Sequence, residues 1–220
     1  GYLPLFLYDV TSERLENAGL LVSIAPAKEF TSTEQTAISS FVDQGGAFIC
    51  MTGAEQAAAS NELLAKFDLR VPVSPVPTGE GPSEPEPFGR TNALYLSVEP
   101  PEEEGYQVGV RMFSAWPVES TDDQAEVIAY GRNQLRIVES DTELPVVIGR
   151  QFGDGIVIVI GDTGFAMNKN LEYIGGEPFS GDYENAHFWR WLLTELNGQP
   201  EWVPPRSKAT DVADDTEEDL

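Results

Sequence analysis

An α/β fold, with a mostly parallel sheet and an antiparallel β extension, is predicted by three features of the sequence. From Leu20 to Phe67 strand-like and helix-like stretches alternate, an order that implies parallel strands joined by right-handed crossovers. Ile156 to Ile160 is an unbroken β-branched run, the pattern of a strand buried on both faces. That run stops at Gly161-Asp162-Thr163-Gly164, a polar turn, and in open α/β sheets ligands sit just beyond the carboxyl ends of strands. The expected outcome is a doubly wound, flavodoxin-like three-layer sandwich occupying residues 1–200 as a single domain.

Taken in order, Leu5-Phe6-Leu7-Tyr8 reads as a short first strand and Thr11 to Asn17 as a helical turn. Leu20 to Ala25 is the next strand, stopped by Pro26, which cannot donate to a ladder. Thr31 with Glu34, or Ser32 with Gln35, forms a capping box, after which Ala37, Ile38, Phe41 and Val42 share one helical face. Gly45-Gly46 ends that helix and Ala47 to Met51 is a strand. Thr52-Gly53 turns the chain into a helical stretch from Ala54 to Phe67, which Ser60 or Asn61 is expected to divide by capping a second start.

Residues 71–90 hold six prolines and three glycines and read as a long extended loop. Over 93–151 the apolar runs are short (Ala93–Val98, Tyr106–Phe113, Glu126–Tyr130, Leu135–Val138, Pro145–Gln151) and leave no room for crossover helices. This is the β-rich extension, closed by a tight turn around Gly153 and Gly155. After a Gly-rich loop from Gly175 to Gly181, a last helix capped near Asn185 runs to Asn197. Residues 201–220, whose last ten carry six acids, are expected to be a disordered acidic tail.

The charge balance excludes some partners. With 37 acidic residues against 13 basic ones the net charge is -24, so nucleic acid and anionic lipid are repelled. Only four residues are Lys, and an acid-rich, lysine-poor surface suits a salty medium where counterions screen self-repulsion. No apolar run reaches the roughly 18 residues of a membrane span, so no direct membrane insertion is expected within this chain. The chain opens on Gly1 rather than Met and enters an apolar run almost at once, which suggests that upstream sequence has been removed, a stretch that could have held a signal or anchor. The single cysteine, Cys50, forbids an internal disulfide. With one Cys and one His, a Cys/His metal site is excluded, and no metal or cofactor is assigned.

Two segments together carry a resemblance. LLVSIAPAKEFTSTEQTAISSFVDQGGAFICMTG gives strand, Pro, capped helix, Gly-Gly and strand; VVIGRQFGDGIVIVIGDTGFAMNKNLEY is followed by ENAHFWRWLL. Over Leu20–Phe67 and Pro145–Asn197 the chain resembles the class I glutamine amidotransferase-like superfamily. The similarity is to its non-catalytic branch, which includes gliding-motility and ABC-transporter auxiliary domains and related bacterial domains. The resemblance implies a strand–helix unit upstream of Leu5, here absent or reduced to Leu5–Tyr8, and hence an exposed sheet edge. It also implies where catalytic groups would lie. The nucleophilic Cys belongs on the turn at Met51-Thr52-Gly53, but Cys50 falls just before it, inside the apolar strand. The His-x-Glu motif belongs where this chain reads Gly161-Asp162-Thr163, with no His. No catalytic residue is therefore assigned, and Cys50 is read as a core thiol.

The candidate ligand-binding crevice comprises Thr52, Gly53, Glu55, Asp162, Thr163, Asn168, Asn170, Glu184 and His187. Asp162, Thr163, Asn168 and Asn170 have the oxygens to bind a cation or a sugar hydroxyl, but Asp and Asn also form turns and cap helices without any ligand, and that use is favoured. Thr52-Gly53 opens a helix and so offers an anion site, a weak signal with one glycine. Glu184 has the helical spacing to orient His187, the only histidine; an ordinary helix-surface residue is the simpler reading. Phe188, Trp189, Trp191 and Tyr173 suit core packing better than a carbohydrate surface, whereas Trp116 and Trp202, in loop-like segments, are the candidates for an exposed docking role.

The favoured function is a non-catalytic binding or scaffolding domain with a protein partner, in a bacterial, extracytoplasmic or membrane-associated system. The competing reading is a hydrolase or transferase that uses Asp162 with Glu184 and His187.

Overall fold

A computed structural model of the chain describes residues 3–72, 91–96, 107–112, 115–132, 143–167, 173–174, 177–178 and 184–197. The Pro-rich stretch beyond residue 72, the Leu135–Val138 run, Trp202 and the acidic tail lie outside these residues.

The first half follows the expected alternation. A short helix α1 (Ser12–Leu15), capped by Thr11, leads to β1 (Leu20–Ile24). Helix α2 (Ser32–Asp43) begins with the box of Thr31 and Glu34: the Thr31 hydroxyl accepts from the Glu34 N–H at 3.3 Å, and the Glu34 carboxylate accepts from the Thr31 N–H at 2.9 Å. Gly45, at φ 101°, makes the left-handed exit that other residues resist, and β2 (Ala47–Met51) follows. Helix α3 (Ala54–Leu64) passes into a single 3-10 turn (Ala65–Phe67).

Two local expectations fail here. Leu5–Tyr8 forms no strand: Leu5, Phe6 and Tyr8 are 77%, 96% and 99% exposed. A strand exists through its ladder partner, and among the described residues this run has none. Nor is α3 divided at Ser60 or Asn61. The Ser60 hydroxyl donates back to the Gln56 carbonyl at 3.2 Å, and the Asn61 amide exchanges two hydrogen bonds with the backbone of Val71, at 2.8 and 3.0 Å. Both side chains find partners that leave the helix intact.

Short β3 (Leu69–Arg70) pairs antiparallel with β6 (Glu119–Ser120), while β4 (Thr91–Leu96), β5 (Gln107–Met112), β7 (Glu126–Arg132), β8 (Glu143–Phe152) and β9 (Gly155–Ile160) join the main sheet. Among the described residues that sheet has seven strands, in the order β1-β2-β9-β8-β7-β4-β5. The expected parallel core is β1, β2 and β9; every pairing beyond β9 is antiparallel, so the antiparallel part is larger than an edge extension. Hairpin turns cause this. Gly153, at φ 59°, lets β8 fold straight back as β9 with no crossover. A small hairpin, β10 (Tyr173–Ile174) and β11 (Glu177–Pro178), precedes the last helix, α4 (Glu184–Asn197), which places Asn185 inside the first turn rather than at the cap.

Strand alternation sorts the core into two clusters. Phe48, Cys50, Val157 and Val159 face α1, α2 and α3. Ile49, Met51, Ile158 and Ile160 face the other way, toward Phe188 and Leu192 of α4. Residues 157–160 of β9 are thus buried on both faces, as their sequence required. Val110 and Met112 of β5, at the far end of the sheet, belong to the same second cluster as Met51 of β2. The aromatic set of α4 packs as core, with Phe188 fully buried and Trp189 and Trp191 set against it.

Candidate functional site

The carboxyl ends of β2 and β9 lie side by side, since the strands pair in parallel from Ala47↔Ile156 to Met51↔Ile160. The Thr52 N–H donates to the Ile160 carbonyl at 3.0 Å and so ties the two following turns together. Thr52-Gly53 enters α3; Gly161-Asp162-Thr163 leads into a 3-10 turn, Gly164–Ala166.

These turns are closed. Thr52 is 0% exposed, and its hydroxyl accepts from Ser60 Oγ at 3.1 Å. The Gly53 N–H donates to Gln56 Oε1 at 3.3 Å, a capping contact at the start of α3. Asp162 is 1% exposed, and its Oδ1 accepts from the Gly164 N–H at 2.6 Å, an Asx turn that shapes the chain after β9.

A residue that sequence reasoning assigned elsewhere seals the space between the turns. Trp116, expected as an exposed docking group, is 7% exposed and belongs to the first core cluster. Its N–H donates to the Gly161 carbonyl at 2.6 Å, and Gly161 in turn donates to Val146 O at 2.9 Å. Its indole edge lies beside Gly53, where an added Cβ would stand 3.7 Å from Trp116 Cδ1. At Gly161 an added Cβ would collide with the Trp116 carbonyl oxygen. Only glycine allows so close an approach. The usable signal was the run Ala115-Trp116-Pro117-Val118, whose four residues are all buried.

Of the remaining candidates, two have described side chains. Glu55 is exposed on the first turn of α3, and Thr163 is half-buried beside Asp162. Glu184 and His187 stand on the first turns of α4, on the second-cluster face, with side chains outside the described residues; Asn168 and Asn170 lie wholly outside them. Cys50 points to the opposite face, among α2 and α3, so the sheet separates the thiol from the helix that carries the histidine. Burial pushes the Cys50 thiol up to about 12, against a smaller opposing effect of its hydrogen bond with Ser60. A nucleophilic thiol needs the reverse, a lowered pKa and access. Among the described residues no three of His, Cys, Asp and Glu are grouped to hold a metal ion, and no helix is long and apolar enough to cross a membrane.

What the fold and these turns define is an α/β domain in which Trp116 packs between the turns that follow β2 and β9. The chain belongs to the DUF4350 family, a domain of unknown function, whose model matches residues 7–193. No curated protein matches the sequence. Among solved structures, the chain is similar to the mmIFT52 N-terminal domain (16% identity, TM-score 0.62, 89% of this chain and 84% of that one). It is also similar to two proteins of Salmonella typhimurium. The cytoplasmic protein STM1381 of strain LT2 shows 13% identity and a TM-score of 0.54 over 86% of this chain and 76% of its own. The cytoplasmic protein STM3548 shows 13% identity and a TM-score of 0.52 over 89% and 77%. At these identities the likeness is one of fold.

Proposed function

We propose that this chain is a non-catalytic binding or scaffolding domain, built on a flavodoxin-like, amidotransferase-like plan whose reaction site has been filled in. The observation that carries this reading is Trp116 lodged against both Gly53 and Gly161 at the joined ends of β2 and β9. An enzyme needs convergent groups around a space that a substrate can enter. At this place Thr52 and Asp162 are buried and serve as turn formers, and burial in the cluster that also holds Trp116 keeps the Cys50 thiol protonated. A domain of this kind acts through its surface, on a protein partner. A bacterial membrane-associated or extracytoplasmic setting is part of the proposal and rests on the resemblance alone.

Turnover assays test the reading. Glutamine, a simple ester and a simple amide are offered to the intact chain and to Asp162→Ala and His187→Ala. The expected result is no hydrolysis above buffer in any of them. Hydrolysis by the intact chain that either substitution abolishes would establish the enzyme reading in its place.

A further inference from the structure

We infer that the free edge of β1 and the apolar groove beside it form a docking site for the segment Leu3–Tyr8 of a second copy of this chain. This goes beyond the non-catalytic reading and does not depend on it.

The acceptor is read from the ladder. Among the described residues β1 is the end strand of the sheet and pairs on one side only, with β2. The carbonyl of Gly19 and the N–H of Ala25 point to β2, so by the alternation of a parallel ladder the backbone groups of Leu20, Val22 and Ile24 point away from it. The side chains of Val22 and Ile24 are 39% and 53% exposed and line a groove of about 420 Å³, completed by Met51, Ala166, Trp189 and Arg190. Bare strand edge and apolar groove therefore lie together, the combination that an added strand recognises through its backbone and alternate side chains.

The donor is on the same chain. Leu3, Leu5, Phe6 and Tyr8 are 77–99% exposed and belong to no helix or strand. Pro4 biases Leu3 to extended backbone. Six extended residues span roughly 20 Å, enough to run along the five of β1. Its own fold does not use this segment at β1: the one member that packs, Leu7, touches the first cluster, on the opposite face of the sheet from the groove.

Charge selects a second copy. In a chain of net charge -24, residues 1–8 carry no charged side chain, and neither do residues 18–27 around β1. These are stretches where two acidic molecules meet without direct repulsion. Among the described residues of the groove wall the one charge is the cation Arg190, for which no ion pair exists among those residues, so an acidic partner is attracted there. Exchange of the two segments about a two-fold axis gives a closed dimer.

Sedimentation equilibrium of the intact chain over rising concentration tests this, in salt sufficient to screen the net charge. The expected result is a monomer–dimer equilibrium that Phe6→Asp, which disables the donor, and Ile24→Asp, which disables the acceptor, each weaken at least about ten-fold. Thermal melts of both variants report whether they remain folded. A mixture of the two retains one intact donor–acceptor contact and should form a heterodimer that neither variant forms alone. A synthetic peptide GYLPLFLY should dissociate the native dimer, which tests the contact without any substitution. A chain monomeric at every concentration, with the peptide not binding, would overturn the proposal. So would a dimer indifferent to both variants and the peptide, or a monomer whose Val22 and Ile24 amides are already protected from hydrogen exchange by its own segment.

Discussion

The N–H of Trp116 reaches the carbonyl of Gly161 at 2.6 Å, and through this bond the segment after β5 is fastened to the turn after β9. The two residues lie far apart in sequence, yet their contact packs the turn that follows β9 against a third segment.

Loss of the Trp116 side chain, which leaves this backbone bond in place, should itself be costly. Trp116→Ala removes a nearly buried indole and leaves a cavity, an effect expected to destabilise by about 3–5 kcal/mol, read from urea denaturation. Gly161→Ala should be of similar severity, because its methyl group meets backbone rather than a movable side chain. Trp116→Phe should recover part of the loss.

At the start of α2, Thr31→Ala should cost about 1 kcal/mol, the usual value of an N-cap hydroxyl. Hydrogen bonding to Thr31, its backbone first, holds the Glu34 carboxyl below its ordinary range. A carboxyl whose folded pKa is depressed lends stability above its unfolded pKa and loses it as pH falls through the folded value. The Thr31→Ala penalty should therefore shrink on acidification, as urea midpoints at neutral pH and below pH 4 can report.

Arg150, at 14% exposure, binds Asp122 Oδ2 through Nε and Nη2, both at 2.6 Å, and Asp68 Oδ2 at 2.9 Å. It thereby anchors the turns before β3 and β7 to β8. Arg70 pairs with Glu119 at 2.5 Å, but the Arg70 side chain is 62% exposed. Arg150→Ala should therefore lower the melting temperature clearly more than Arg70→Ala, and the Arg70 effect should be the one that added salt erases.

The Cys50 thiol supplies a prediction on the alkaline side. Its folded pKa, pushed up to about 12 by burial, lies above that of an unfolded thiol. The stabilising effect is complete below the unfolded value and disappears as pH rises toward the folded one. Stability should fall between pH 9 and 12, and Cys50→Ala should lose less over that interval than the parent chain does.

Much of the fold was legible because local rules and tertiary context agreed. The Thr31 box, the Gly45 exit and the two-faced strand Ile156–Ile160 depend on neighbours a few residues away, and all stand as read. The failures depend on distant partners. Leu5–Tyr8 has the composition of a strand but no ladder to join. Trp116 sits in a segment without regular periodicity, and its burial arises from Gly53 and Gly161, both remote in sequence. Asp162 and Thr52 were correctly placed at the joined strand ends, but nothing in their own segments reveals that a third segment covers them.

The most direct measurement is the rate of Cys50 alkylation by iodoacetamide in the native chain, followed by mass spectrometry against urea. A thiol sealed in the core should react only through unfolding, so its modification should track the urea transition and be negligible in buffer near neutral pH. Rapid stoichiometric modification of the folded protein, at or above the rate of a free thiol, would mean an open and activated cysteine, and would contradict the account of a filled-in reaction site.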